Sequence, residues 1–258
     1  MYPILWSSGQ WVIPSWHVFF LLGAFTAYFV LHTLFRLYEP LLSDHLNPFY
    51  VFCYSSCYLG ARVFSLLVED KASLFSLSGS LLQHGAMTFY GGFLGASIAG
   101  LCYCYLRKLS LTSMMDLAFP AGFSAVAIGR IGCFLNGDDY GIKVQTSPSP
   151  WWAVTFPPPH EAVPRVPVQL IEALCLFFIL LTLFFFFAKI RSKWGKGAIG
   201  FLMLSSYCIL RFFDEFLRGD DRGILWIPTL SPAQTISSLL LLLLFFLWIV
   251  KRYRRRHD

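Results

Sequence analysis

The sequence predicts an all-α membrane protein of seven transmembrane helices with a small external head region. Three observations predict it. The 258 residues are 57% hydrophobic and only 13% charged, where a soluble domain carries about 25% charged residues. Apolar runs near the ~20 residues needed to cross a bilayer recur along the chain. Basic residues also gather in alternate loops. Arg36, Arg107, Lys108, Lys189, Arg191, Lys193, Lys196 and the tail Lys251, Arg252, Arg254, Arg255 and Arg256 fall on one side. Lys71, Lys143, Arg165, Arg218 and Arg222 fall on the other. Twelve against five puts the C-terminus in the cytoplasm. Seven spans then put the N-terminus outside.

The first helix is predicted over 15–35. No basic segment precedes it and no small-residue cleavage site follows it, so it is retained as a span. The second, 47–68, ends near Arg62. The third, 86–106, contains HGAMTFYGGFLGASIAG at 84–100, whose glycines let helix backbones approach closely. Its polar groups are His84 and Tyr90. His84 reads as a helix cap or interface residue, or as a catalytic group. The fourth helix, 112–135, ends in GRIGCFLNGDDYG at 129–141. Asn136 and Gly137 are suited to stop it. The fifth, 167–189, carries Glu172. The sixth, 198–218, places Tyr207, Arg211, Glu215 and Arg218 on one face, which must point away from lipid. The seventh is 232–250.

Between the fourth and fifth helices, 136–166 is too rich in proline to span. Its Trp151–Trp152 pair suits a membrane–water interface. By the charge count this loop is external and forms the head region of a single domain, 1–258. The net charge of +6 reads as a topology signal rather than as a nucleic-acid surface. Seven cysteines include no CxxC pair and no Cys/His metal spacing, so no metal site is expected.

Ionisable groups at mid-bilayer cost at least ~2.5–3.5 kcal/mol on insertion scales. Arg62, Arg130, Glu172, Arg211, Asp214 and Glu215 lie within or beside predicted spans. They must pair internally, line a wet cavity or meet a charged ligand. A guanidinium presents a rigid fork of donors suited to phosphate oxygens. Asp138 and Asp139 read either as ordinary loop residues or as carboxylates that orient nearby arginines.

GRIGCFLNGDDYG resembles the signature of the prolipoprotein diacylglyceryl transferase family. GAR at 60–62, GAMTFYGGFLGA at 85–96, PWWAVTFP at 150–157 and PRVPVQLIEA at 164–173 are similar to further family motifs, in order. YCILRFFDEFLRGDD at 207–221 and LSPAQTISS at 230–238 extend the resemblance. It implies an enzyme of the bacterial cytoplasmic (inner) membrane. Such an enzyme transfers the diacylglyceryl group of phosphatidylglycerol to the lipobox cysteine in a prolipoprotein signal peptide. Arg130, Arg211, Tyr90, Tyr207 and His84 are the implied catalytic group. Arg130, Asn136, Gly137, Gly141, Asp138, Glu215, Arg62 and Arg218 are the implied substrate-binding group. No cofactor, metal or nucleic acid is implied. The chain departs from the pattern at Cys133, where the family has asparagine, at Asp138, where it has glutamate, and at Val166, where it has histidine. A phospholipid-binding protein of the same fold without catalysis is the alternative. An anion transporter with Arg130 and Arg211 on its path is a third reading.

Overall fold

The computed structural model describes residues 2–8, 11–68, 88–156, 162–220 and 229–257. Its helices are α1 (Ser15–Tyr38), α2 (Leu46–Val68), α3 (Phe89–Leu106), α4 (Leu111–Asn136), α5 (Val168–Trp194), α6 (Ala198–Asp214) and α7 (Pro232–His257). Five of them, α1, α3, α4, α5 and α7, are long and apolar enough to cross a membrane. α2 is long enough but is diluted by Tyr, Ser and Arg62. α6 has 17 residues and carries Arg211 and Asp214. Large side chains on the outward faces, among them Phe25, Phe29, Phe185 and Leu242, are exposed. Water would penalise such a surface and lipid does not. The protein is a multi-pass membrane protein.

Two short antiparallel ribbons accompany the helices. β1 (Ile4–Ser8) pairs with β2 (Trp11–Pro14), and β3 (Val154–Thr155) with β4 (Pro164–Arg165). The first ribbon was not expected, because its strands of five and four residues are too short for their periodicity to stand out. Ser15 closes it: its backbone N–H donates to the Pro3 carbonyl at 2.9 Å as α1 begins.

The chain forms two compact units, Met1–Val30 with Met115–Asp258, and Leu31–Met114. In the second unit α2 packs along α3. The contact is backbone to backbone: a Cβ at Gly60 or Gly91 would strike the facing glycine's carbonyl, and one at Gly95 that of Ser56. Small residues make this approach possible where no hydrophobic force joins helices in lipid.

In the first unit α5 packs on α6 and α6 on α7. Asp116 on α4, fully buried, ties this assembly together. Its carboxylate accepts the Gly197 N–H at 2.8 Å and the Gly200 N–H at 2.9 Å, and lies 3.4 Å from Nε of Arg191. Helix N-termini leave backbone donors unsatisfied and favour anions. One carboxylate thus caps α6 from another helix. At the other end of α6 the chain leaves regular helix earlier than predicted. Glu215–Leu217 is a 3₁₀ turn and Arg218 is extended (ψ 143°). Arg218 departs from the helix because it pairs edgewise with Gly141.

Candidate functional site

The end of α4 is set by its own sequence. Gly137 adopts φ 91°, a conformation glycine reaches at low cost. Its N–H and that of Asp138 both donate to the Cys133 carbonyl, at 2.9 and 3.1 Å. This satisfies a helix terminus that would otherwise leave carbonyls bare. The turn is held from α5 as well, where the buried Gln169 side chain donates to the Asp138 carbonyl at 2.6 Å. The Asn136 amide donates to the Asp138 carboxylate.

After the turn, the segment Tyr140–Ile142 runs as a strand between two neighbours. Ile142 N–H donates to the Leu217 carbonyl at 2.9 Å, and Gly219 N–H to Tyr140 at 3.0 Å. On the other side Val166 N–H donates to the Ile142 carbonyl at 3.1 Å. Gly141 sits at the crossing, where a Cβ would strike the Val166 carbonyl. Arg165 lies over the Tyr140 ring, 4.3 Å from its centroid. This lacing brings the end of α4, the start of α5 and the end of α6 to one place.

An ion network occupies that place. Arg130 Nη1 donates to Asp139 Oδ2 at 2.5 Å, and its Nε lies 2.8 Å from Glu172 Oε2. Arg211 Nη1 is 3.6 Å from the same Glu172 oxygen and donates to Asp214 at 3.0 Å. Arg211 Nη2 is 3.0 Å from Glu215. Arg218 donates to Asp139 at 2.5 Å and to Asp220 twice at 3.0 Å. Arg130, Arg211, Arg218, Glu172, Asp214 and Glu215 are all buried. Burial of charge is tolerable only with such pairing. Tyr207 is buried one turn before Arg211, its ring 4.5 Å from that of Phe123.

Asp139 and Asp220, both outside the helices, respond differently. Burial raises the Asp139 carboxyl, but Arg130 and Arg218 outweigh it and hold the group below the usual carboxylate range. At Asp220 burial prevails over Arg218, and its pKa is pushed up.

Prolipoprotein diacylglyceryl transferase is the family whose model matches residues 3–250 of the chain. The chain belongs to this family. It is 30% identical to the phosphatidylglycerol–prolipoprotein diacylglyceryl transferase of Wolbachia sp. subsp. Drosophila simulans (strain wRi). That match spans 260 residues, 95% of this chain and 94% of the relative. The enzyme of the same name from Azospirillum brasilense is 34% identical over 185 residues, 70% of this chain and 66% of the relative. That of Rickettsia felis is 27% identical over 248 residues, 93% of each.

Among the residues singled out in this diacylglyceryl transferase sequence, the structure gathers Arg130, Tyr207, Arg211, Glu215 and Arg218 in one unit, with Asn136, Gly137, Asp138 and Gly141 on the adjoining turn and strand. Arg62, buried on α2, and Tyr90, half-buried in the first turn of α3, belong to the other unit. His84 lies outside the described residues. Sequence reasoning left Glu172 and Gln169 out of the site, although both join its parts. Their signal is visible in PVQLIEA: two polar residues three apart, on one face of a helix that is otherwise apolar. Among the described residues no group of three or more His, Cys, Asp or Glu is placed to hold a metal ion.

Proposed function

We propose that this chain transfers the diacylglyceryl group of phosphatidylglycerol to the lipobox cysteine thiol of a prolipoprotein. A thioether forms and glycerol-1-phosphate leaves. The observation that carries the reading is a pair of buried arginines, Arg130 and Arg211, sharing one buried glutamate in a chain of this family.

The sulfur attacks the glyceryl carbon that bears the phosphate. As the carbon–oxygen bond breaks, its electron pair stays on the phosphate oxygen. Preorganised cations in a water-poor site stabilise that charge. Arg130 uses Nε and Nη1 on Glu172 and Asp139, which leaves Nη2 as the edge of its fork for a phosphate oxygen. Arg211 is the second phosphate-directed cation, with Glu215 as its counter-ion, and Tyr207, one turn earlier on α6, is the group to hydrogen-bond what Arg211 holds. Asn136, Gly137, Asp138 and Gly141 shape the turn beside the headgroup, and Arg218 adds positive charge. The substrate thiol has an unperturbed pKa near ~8.5, and nearby arginines favour its thiolate. The base that takes its proton is unassigned, with Tyr90 and His84 as the candidates that the sequence offers. Loop 136–166 forms the head on the outer side of the inner membrane, with the N-terminus outside and the C-terminus cytoplasmic.

The test uses purified protein in phosphatidylglycerol vesicles with a lipobox peptide. Arg130→Ala and Arg211→Ala should stay folded and lose transfer by about a hundredfold or more. Full activity in both variants overturns the reading. So does a wild type that binds phosphatidylglycerol and releases no glycerophosphate.

A further inference from the structure

Two aspartates follow Asn136–Gly137, and backbone geometry separates their tasks. By order in the motif, Asp138 stands where the family has its acidic residue. In the structure Asp138 is exposed, and among the described residues its carboxylate accepts only from Asn136, two residues back. Asp139 turns the other way. It adopts φ 61°, a left-handed conformation that Asp and Asn tolerate better than other side chains. That turn carries its carboxylate into the ion network, where each oxygen takes one guanidinium: Oδ2 receives Nη1 of Arg130 and Oδ1 receives Nη2 of Arg218, both at 2.5 Å.

Each of those arginines has a further carboxylate of its own. Arg130 has Glu172 and Arg218 has Asp220. Asp139 alone among the described acidic residues is paired with both. It therefore joins the end of α4 to the segment that follows α6. Charge-assisted hydrogen bonds of this kind are the stronger class and fix direction as well as distance. Without the bridge, Arg130 keeps one anchor at Nε and its fork can turn about it.

We propose that Asp139, rather than Asp138, is the positioning residue that holds Arg130 and Arg218 in register for transfer; this rests on the function proposed above. Its carboxyl is held below the usual carboxylate range, so it stays ionised throughout the neutral range in which both guanidinium bonds require it. The role belongs to a residue that motif order leaves unassigned.

The experiment compares Asp138→Asn, Asp139→Asn and Asp139→Gly in the vesicle assay. Asparagine and glycine both accept the left-handed backbone, so these substitutions remove the charge without straining the turn. Both Asp139 variants should lose kcat/KM by about tenfold or more, and each should lose more than Asp138→Asn. In Asp139→Gly the space between two guanidiniums is open to a small carboxylate. Formate should then restore a large part of the lost rate, while formamide does not, and neither helps Asp139→Asn. The recovery is read at a temperature where Asp139→Gly is fully folded, so that a role in stability alone would leave kcat/KM there unchanged by formate. A greater loss in Asp138→Asn than in Asp139→Asn overturns the proposal, as does the absence of formate recovery. If wild-type protein transfers nothing, the proposed function falls on its own. The bridge is then read from the melting temperature of Asp139→Gly, which formate should raise and formamide should not; no such rise overturns it.

Discussion

Glu172 carries a negative charge with no solvent access, between Arg130 at 2.8 Å and Arg211 at 3.6 Å. Glu172→Gln keeps the shape and removes the charge both arginines rest on. Removing one partner of a buried pair costs about 3–5 kcal/mol, so the variant should melt well below wild type in detergent and lose transfer. An unchanged melting temperature would show that the arginines find equal partners among Asp139, Asp214 and Glu215. Cys133 contributes its carbonyl to the turn through atoms every residue has. Cys133→Asn should accordingly fold as wild type, and the transfer assay reads what an amide adds beside Arg130. The acid side of stability has a definite sign. Asp139 has a folded pKa below its unfolded value, so its contribution is complete above an unfolded pKa of about 3.9 and is lost as pH falls through the folded value. Asp220 is shifted upward and acts in the opposite sense, favouring the folded state once it is protonated. Melting temperature followed downward from pH 7 should fall less steeply in Asp139→Asn than in wild type.

Elements meet here through backbone as much as through side chains. Gly60, Gly91 and Gly95 let α2 and α3 touch, and Gly141 lets a strand pass between Val166 and Leu217. Gly95→Leu should separate α2 from α3 and lower stability by more than the about 1–3 kcal/mol typical of overpacking, because backbone rather than a mobile side chain lies opposite. Gly141→Val should leave the helices intact and disturb the turn. Its expected signature is lost transfer with a small change in melting temperature. Asp116→Ala removes the carboxylate that caps α6 from α4. Cap removal costs about 0.5–2 kcal/mol, and this one also leaves Arg191 without that partner. Thermal unfolding of the purified protein measures all three.

For the whole molecule the central quantity is orientation. From the charge asymmetry we propose that the basic end of α7 is cytoplasmic and loop 136–166 external. A reporter active only outside the membrane should work when inserted near Ser147 and fail when fused after Asp258. The reverse pattern would place the ion network beside the inner leaflet.

Sequence by itself determined the helices and the class of chemistry. Apolar runs of spanning length are local properties, and the helices over 15–35, 47–68 and 112–135 emerge as α1, α2 and α4 with ends shifted by a few residues. Motif order sufficed for the family, because it needs only the residues and their succession. What sequence could not settle depends on contacts between segments far apart in the chain. The ribbon of β1 and β2 is hidden because strands this short carry little periodicity of their own. The early end of α6 follows from the pairing of Arg218 with Gly141, 77 positions away. Glu172 reads as one more charge in a span until α4 and α6 bring an arginine to it from each side. Asp138 and Asp139 are equivalent as letters. Only the backbone turn at Gly137 and the left-handed φ of Asp139 decide which carboxylate enters the network, because direction is a property of the folded chain.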